Sequence, residues 1–186
     1  MFQKFKEFNQ SGIEILIDLN EYPYTPSNNV DFETLRKFRD GSLVGLGWEF
    51  NGLQILIEDK SVSVQGYPSV ALDYMVVVYQ GTNGRFLSPN NAVVYNLDGT
   101  IHRILEMPKI LSKNILRRID FYELPNPPLS DIGEDGLAFG GFGWSKNEKG
   151  EMLNSIAITY DREWYENRLL NPETGEIGEL IDSGRL

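Results

Sequence analysis

The chain has 186 residues, no cysteine, one histidine and a formal net charge of −10. Its content of 41% hydrophobic and 24% charged residues is typical of globular proteins and excludes the disordered, collagen-like and coiled-coil classes. The lack of cysteine excludes disulfide frameworks, thiolate catalysis, iron–sulfur ligation and cysteine-based zinc sites.

Segments of strand-forming composition alternate with turn signals along the chain, which predicts a protein built of hairpins. The dipeptides Asn51-Gly52, Asn83-Gly84 and Asp98-Gly99 tolerate the positive φ angles that type I′ turns require. Longer turns are predicted at 147–150 and 171–175. The ten predicted strands cover residues 13–18, 43–50, 53–58, 74–79, 92–96, 101–105, 137–144, 155–160, 163–170 and 176–181. Residues 75–78 are apolar throughout and predict a central strand covered on both faces.

Helical signals are confined to two short segments. Residues 31–38 have acids in the first turn and bases in the last, and residues 108–119 open with Pro108 and place apolar residues along one face. We therefore predict a β-rich α+β fold, mainly an antiparallel sheet arranged as a sandwich or a partly open barrel, with one or two short helices. The proline-rich residues 124–128 predict a connector.

The domain organisation is predicted as one globular domain over residues 1–186. A glycine-rich strand that ends in tryptophan occurs twice, with Gly45, Gly47 and Trp48 recurring as Gly140 or Gly141, Gly143 and Trp144. This similarity suggests two related halves, about 1–95 and 96–186, with pseudo-twofold symmetry. The alternative is that glycine-punctuated strands align by chance. The N-terminus lacks the apolar region of a secretory signal, so we expect a cytoplasmic protein.

Catalytic and metal motifs are weak in this sequence. His102 is the single histidine, and no neighbouring hydroxyl has the surroundings of an activated nucleophile, so an ordinary strand histidine is favoured. Residues 131–136 resemble the start of a calcium loop, but Gly133 and Phe142 stand where that loop needs acidic ligands. We predict no catalytic residue, no metal and no cofactor.

The negative charge is concentrated in the C-terminal third. Residues 1–119 hold 13 acids and 12 bases, whereas residues 120–186 hold 14 acids and 5 bases. Such a surface repels nucleic acids and anionic membranes and attracts a basic protein. Aromatic rings among the acids predict a binding surface for that partner, formed by Trp164, Tyr165, Glu173, Glu176 and Glu179. The alternative is an amphipathic hairpin with its rings inward and its acids outward.

Two further binding surfaces are weighed. Rings interleaved with glycines predict an aromatic ligand pocket at Phe139, Phe142 and Trp144, although a bent strand filled by its own rings is favoured. Basic residues at Arg103, Lys109, Lys113 and Arg117 predict a patch for an anion or for a second copy of the chain, against the alternative of a solvated helix face.

Three functions are therefore considered, in order of preference. The first is a non-enzymatic interaction protein that binds a basic protein partner, with an immunity protein that neutralises a toxin as one concrete form. The second is a small-molecule binding module that uses the aromatic and glycine-lined pocket. The third is a hydrolase that uses paired carboxylates.

Overall fold

The computed structural model of the chain describes residues 2–19, 25–26, 30–121 and 136–186. Every strand pairing in these ranges is antiparallel, and the two helices are short, which confirms the predicted β-rich α+β fold. The predicted connector at 124–128 and most of the calcium-like loop lie outside the described residues. The elements are β1 Phe2–Asn9, β2 Glu14–Asp18, β3 Thr25–Pro26, α1 Phe32–Arg39, β4 Leu43–Phe50, β5 Leu53–Glu58, β6 Ser63–Pro68, β7 Tyr74–Gln80, β8 Ala92–Asn96, β9 Ile101–Ile104, α2 Lys113–Phe121, β10 Leu137–Lys146, β11 Met152–Tyr160, β12 Trp164–Leu170 and β13 Ile177–Arg185.

The strands form three sheets that follow one another in the sequence. The N-terminal sheet has the order β3-β2-β1-β4-β5, the central sheet β6-β7-β8-β9, and the C-terminal sheet β10-β11-β12-β13. Sequential order within the last two sheets means that they are meanders of hairpin-connected strands.

The central sheet is covered on both faces because its strands are apolar at consecutive positions. Met75 and Val77 of β7 pack into a core shared with the N-terminal sheet, and Val76 and Val78 pack into a second core shared with the C-terminal sheet. All four side chains are fully buried. The prediction of a central strand at residues 75–78 is therefore confirmed, and the molecule has three stacked sheet layers.

A tryptophan anchors each outer sheet to the central sheet. The Trp48 Nε1 donates to the Leu97 carbonyl oxygen at 2.7 Å, and the Trp144 Nε1 donates to the Pro68 carbonyl oxygen at 2.8 Å. Both acceptors directly precede a hairpin turn of the central sheet. The two halves suggested by the glycine and tryptophan pattern stay a prediction.

Two of the three predicted dipeptides lie in hairpin turns, but only Asn51-Gly52 has the two positive φ angles that a type I′ turn requires, since the φ of Asp98 is not positive. Asn51-Gly52 joins β4 to β5 with φ angles of 50° and 81°, and Gly99 has a φ of 86° in the turn from β8 to β9. Asn83-Gly84 instead lies within a longer connection, residues 81–91, between the paired strands β7 and β8. There Gly84 packs against Val62, where a Cβ atom would lie 2.7 Å from a methyl carbon.

The strands β1, β3 and β6 are absent from the prediction. In β1 a bulge between Gln3 and Lys6 interrupts the two-residue period, so that Phe2, Phe5 and Phe8 are spaced by three. The strand β6 was not predicted because it contains Gly66 and Pro68, which disfavour strands. The central sheet requires Gly66, because a Cβ atom there would lie 2.6 Å from the Val76 carbonyl oxygen.

Both helices are present, with one shifted boundary. Helix α1 begins after Asp31, whose carboxylate accepts a hydrogen bond from the Thr34 backbone N–H at 2.9 Å. Helix α2 begins at Lys113, five residues after Pro108, because the segment before it binds a buried side chain of β12. Neither helix in the described ranges is long and apolar enough to cross a bilayer.

Candidate functional site

The turn between β12 and β13, residues 171–176, is built around the side chain of Asn171. Its Oδ1 accepts hydrogen bonds from the backbone N–H groups of Glu173 at 3.0 Å and Thr174 at 3.2 Å. The Asn171 backbone N–H donates to the Glu176 carbonyl oxygen at 2.9 Å, which closes the turn. Gly175 has a φ of 73°, a conformation that favours glycine. The acids of this turn are therefore held on an ordered backbone.

The turn packs against the edge of the central sheet. The His102 Nε2 donates to the Glu173 carbonyl oxygen at 2.8 Å, and the His102 ring lies 4.8 Å from the Tyr74 ring. A Cβ atom on Gly175 would overlap the side chain of Arg103. His102 thus has a positioning role in the structure, since it fixes the backbone that carries Glu173.

An acidic groove of 580 Å³ lies where this turn meets the β6–β7 turn and the start of β11. We call it the acidic groove; it is lined by Val70, Ala71, Asp73, Tyr74, Met152, Leu153, Asn154, Leu169, Leu170, Asn171, Pro172, Glu173, Glu176 and Gly178. Three of these residues are carboxylates and none is a lysine or arginine. The wall is otherwise mainly apolar, so the groove combines a negative potential with burial area.

The carboxylates of the groove have different local partners. The Asp73 Oδ1 accepts a hydrogen bond from the Ser69 Oγ at 2.5 Å. Glu173 and Glu176 are exposed, and neither forms an ion pair with a described residue. The floor is fixed by the Asn154 Oδ1, which accepts from the Val70 backbone N–H at 2.8 Å. The arrangement offers a cation two carboxylates that form no ion pair among the described residues, and Arg103 packs against the Gly175 that lies between them.

The five predicted partner-binding residues are divided between the two ends of β12. Glu173 and Glu176 line the acidic groove, and Glu179 is exposed on β13. Trp164 and Tyr165 begin β12, so six and five residue steps of strand place them about 20 Å and about 17 Å from its other end.

Trp164 and Tyr165 are adjacent in sequence and therefore point to opposite faces of the sheet. Trp164 packs on the core between the central and C-terminal sheets, and the Arg185 guanidinium lies 5.9 Å from its ring centre. The Trp164 indole N–H is buried with no hydrogen-bond partner among the described residues. Tyr165 lies on the outer face beside Gly184.

The rings predicted to form a ligand pocket pack mainly inside the protein. Phe139 and Phe142 belong to the core between the central and C-terminal sheets, and Trp144 is half-buried against Pro68. A second cleft, of 720 Å³, has Phe139 and Tyr165 in its wall, but neither Phe142 nor Trp144.

The four residues of the predicted basic patch have different surroundings in the structure. The Lys109 carbonyl oxygen accepts from the Arg168 Nη1 at 3.2 Å, and Arg103 packs on Gly175. Lys113 and Arg117 are exposed one turn apart on α2.

A buried ion pair in β12 was missed by the sequence interpretation. The Arg168 Nη1 lies 2.9 Å from the Glu166 Oε1, and both side chains are at most 6% exposed. The other Glu166 oxygen accepts from the backbone N–H groups of Leu111 at 3.0 Å and Ser112 at 2.6 Å. The signal was present, since Glu166 and Arg168 share the two-residue period of the inward residues Trp164 and Leu170.

The ion pair also fixes the start of β13. The Arg168 Nε donates to the Gly178 carbonyl oxygen at 2.6 Å, and its Nη2 donates to the Ile177 carbonyl oxygen at 3.3 Å. Because Gly178 is part of the groove wall, the pair supports the site from within the sheet. The described residues contain no group of three acids or histidines that could hold a metal ion.

Comparison with known proteins gives a fold likeness. No protein-family model matches the chain, and no curated protein matches its sequence. A chain in the solved structure of Tne2 in complex with Tni2 has a similar fold, with a TM-score of 0.58 over 99% of this chain and 100% of that chain. The sequence identity is 9%, so this likeness shows the fold alone.

Proposed function

We propose that this chain is a non-enzymatic interaction protein that binds a basic protein partner through the acidic groove, in the manner of an immunity protein. The partner would place lysine or arginine side chains beside Glu173 and Glu176 and apolar groups against the groove wall.

The observation that carries this proposal is the composition of the groove. It holds three carboxylates, mainly apolar walls and no cationic side chain among its lining residues. Charge complementarity accelerates association and selects against partners of the wrong sign, while the apolar wall supplies burial area. The fold neighbour belongs to a complex of two proteins, which supports a protein partner in general.

Charge reversal in the groove tests the proposal. The variant Glu173→Lys/Glu176→Lys should lose at least tenfold in affinity for a basic protein captured from the source cell, because two attractive contacts become repulsive. The measurement is capture on the immobilised chain at low and moderate salt, with the captured protein identified by mass spectrometry. Capture by the unmodified chain should weaken as the salt concentration rises.

A matched control separates the groove from overall charge. Asp40→Lys/Asp120→Lys makes the same charge change at exposed positions after α1 and on α2, neither of which lines the groove, and should retain capture. Thermal unfolding of each variant checks that the fold is kept. Equal capture by the groove variant and the control variant would contradict the proposal.

A further inference from the structure

The strand β13 is the outer strand of the C-terminal sheet and has a neighbour on one side only in the described part of the chain. It is nine residues long, and residues 179–183 are all exposed. A free strand edge presents unpaired N–H and C=O groups that can pair with an added strand, and proteins usually blunt such edges with lysine, proline or covering segments. β13 contains neither lysine nor proline.

Two of the other sheet edges are short or covered. The Asn91 side chain binds both the N–H and the carbonyl oxygen of Phe139 at the β10 edge, at 2.8 and 2.9 Å. The Gln80 side chain donates to the Gly140 carbonyl oxygen beside it. The strand β9 has four residues and carries Arg103. β13 is therefore longer than β9 and, unlike β10, has no side chain of another sheet bound to its outer edge among the described residues.

The β13 edge is continuous with the acidic groove. Glu176 and Gly178 belong to the groove wall, and the strand extends from there to Arg185. Its exposed charges in between, Glu179 and Asp182, are both negative. A segment that paired with β13 would therefore run from the edge into the groove.

The two faces of β13 differ in chemistry. Leu180 is opposite Arg168 and so lies on the inner face, whereas Asp182 is opposite Asn167 on the outer face. Between them, Ile181 has no partner in β12 and is 39% exposed. An added strand would meet an apolar side chain on one face and a carboxylate on the other.

We propose, on the basis of the proposed function, that the partner adds an extended segment of alternating cationic and apolar residues to the outer edge of β13. Main-chain hydrogen bonds to β13 supply affinity, and cationic side chains beside Asp182 and in the acidic groove supply specificity. A second copy of this chain is a poor occupant, because each copy of β13 carries the carboxylates Glu179 and Asp182 and only one cationic side chain, Arg185.

Two peptides of equal length and charge test the mode of binding. The first is Ac-(Lys-Val)4-NH2, and the second is the same sequence with every backbone amide N-methylated, which has no backbone N–H to donate to a strand on either side. Amide hydrogen exchange of the full chain is followed by NMR. The unmodified peptide at saturation should slow exchange at residues 178–185 at least tenfold and leave residues 53–58 of the β5 edge unchanged, and the N-methylated peptide should protect neither.

Variants locate the contact. Ile181→Pro should abolish the protection, because proline has no N–H to pair with an added strand. The ladder to β12 should be kept, since Ile181 has no partner in β12. Ile181→Lys keeps the backbone N–H and should weaken binding by charge repulsion, which covers the case in which the proline variant does not fold. The matched control is Ile101→Pro at the first residue of β9, a position of similar exposure.

The outcomes separate this inference from the proposed function. If both peptides bind equally and Glu173→Lys/Glu176→Lys abolishes binding, the groove binds cations but strand addition is wrong. If neither peptide binds, both proposals are wrong. Protection of the β5 edge instead, or concentration-dependent protection of β13 without peptide, would overturn the inference in favour of another edge or of a second copy.

Discussion

The N-terminal and C-terminal sheets both direct a glutamate towards the central sheet, but the two sheets stabilise its charge differently. Glu7 of β1 is 8% exposed and pairs in register with the buried residues Ile15 and Leu46. No described residue forms a hydrogen bond or ion pair with its carboxylate, and burial raises the pKa of Glu7 to about 7. Glu166 of β12 is fully buried but is bound by Arg168 and two backbone N–H groups.

The difference shows that burial by itself does not decide what a charged residue does in a sheet. Where partners are built around it, as at Glu166, the carboxylate joins β12 to the segment before α2 and, through Arg168, to β13. Where no partner is present, as at Glu7, folding opposes ionisation and stability depends on pH. The supported glutamate lies beside the candidate site.

The glycines of β4 and β10 also differ in how closely other atoms pack against them. In β4 a Cβ atom on Gly45 would overlap the Phe8 ring and lie 2.5 Å from the Ile57 carbonyl oxygen. In β10 a Cβ atom on Gly141 or Gly143 would meet nothing within 4 Å. The N-terminal sheet thus packs its own atoms against Gly45. The strand β10 does so at Gly140, where a Cβ atom would lie 2.5 Å from a Thr159 methyl carbon, but leaves Gly141 and Gly143 open.

The largest expected effect comes from breaking the buried ion pair. Glu166→Ala should lower the free energy of unfolding by about 3–5 kcal/mol, because Arg168 would be left as an uncompensated buried charge and two N–H groups would lose their acceptor. Chemical denaturation measures this change. The double variant Glu166→Leu/Arg168→Met should recover only the part of the loss that comes from the unpaired Arg168 charge, because the Leu111 and Ser112 N–H groups still lack their acceptor. Exposed Glu179→Ala should change stability by less than about 0.5 kcal/mol. A small effect of Glu166→Ala would remove the distinction between the two glutamates.

The pH dependence at Glu7 comes next. Its folded-state pKa of about 7 lies above the ordinary value of 4.5, so the protein is most stable at low pH with respect to this group. Stability is lost as pH rises from 4.5 through 7, by about 3 kcal/mol in total. Glu7→Gln should remove this loss, so the difference in unfolding free energy between the variant and the original chain should grow between pH 4 and pH 8. The exposed Glu148→Gln is the control, and a constant difference for Glu7→Gln would contradict the assignment.

The glycine comparison gives the smallest of these stability effects. Gly45→Ala should destabilise the protein by about 1–3 kcal/mol, because the methyl group overlaps the Phe8 ring and a backbone oxygen. Gly143→Ala should change stability by less than about 0.5 kcal/mol, since the position is open. Thermal unfolding of the two variants measures the contrast. Equal destabilisation would mean that the outer face of β10 is covered.

The sequence by itself determined the features that depend on near neighbours in the chain. Turn residues located the Asn51-Gly52 hairpin, the charge pattern of residues 31–38 located α1, and four consecutive apolar residues placed β7 at the centre of the layers. These signals act within a few residues, where backbone φ preferences, capping hydrogen bonds and side-chain period apply directly. The acidic character of the C-terminal third was likewise read from composition.

Tertiary structure decided the rest. The sequence grouped Trp164 and Tyr165 with Glu173 and Glu176, but strand geometry directs the first two to opposite faces and places them a strand length away from the acids. The groove exists only because the β6–β7 turn, β11 and the β12–β13 turn meet, and β13 is an edge only because the sheet ends there. Such features arise from contacts between residues distant in sequence, and a local pattern does not record which distant strand a given strand will meet.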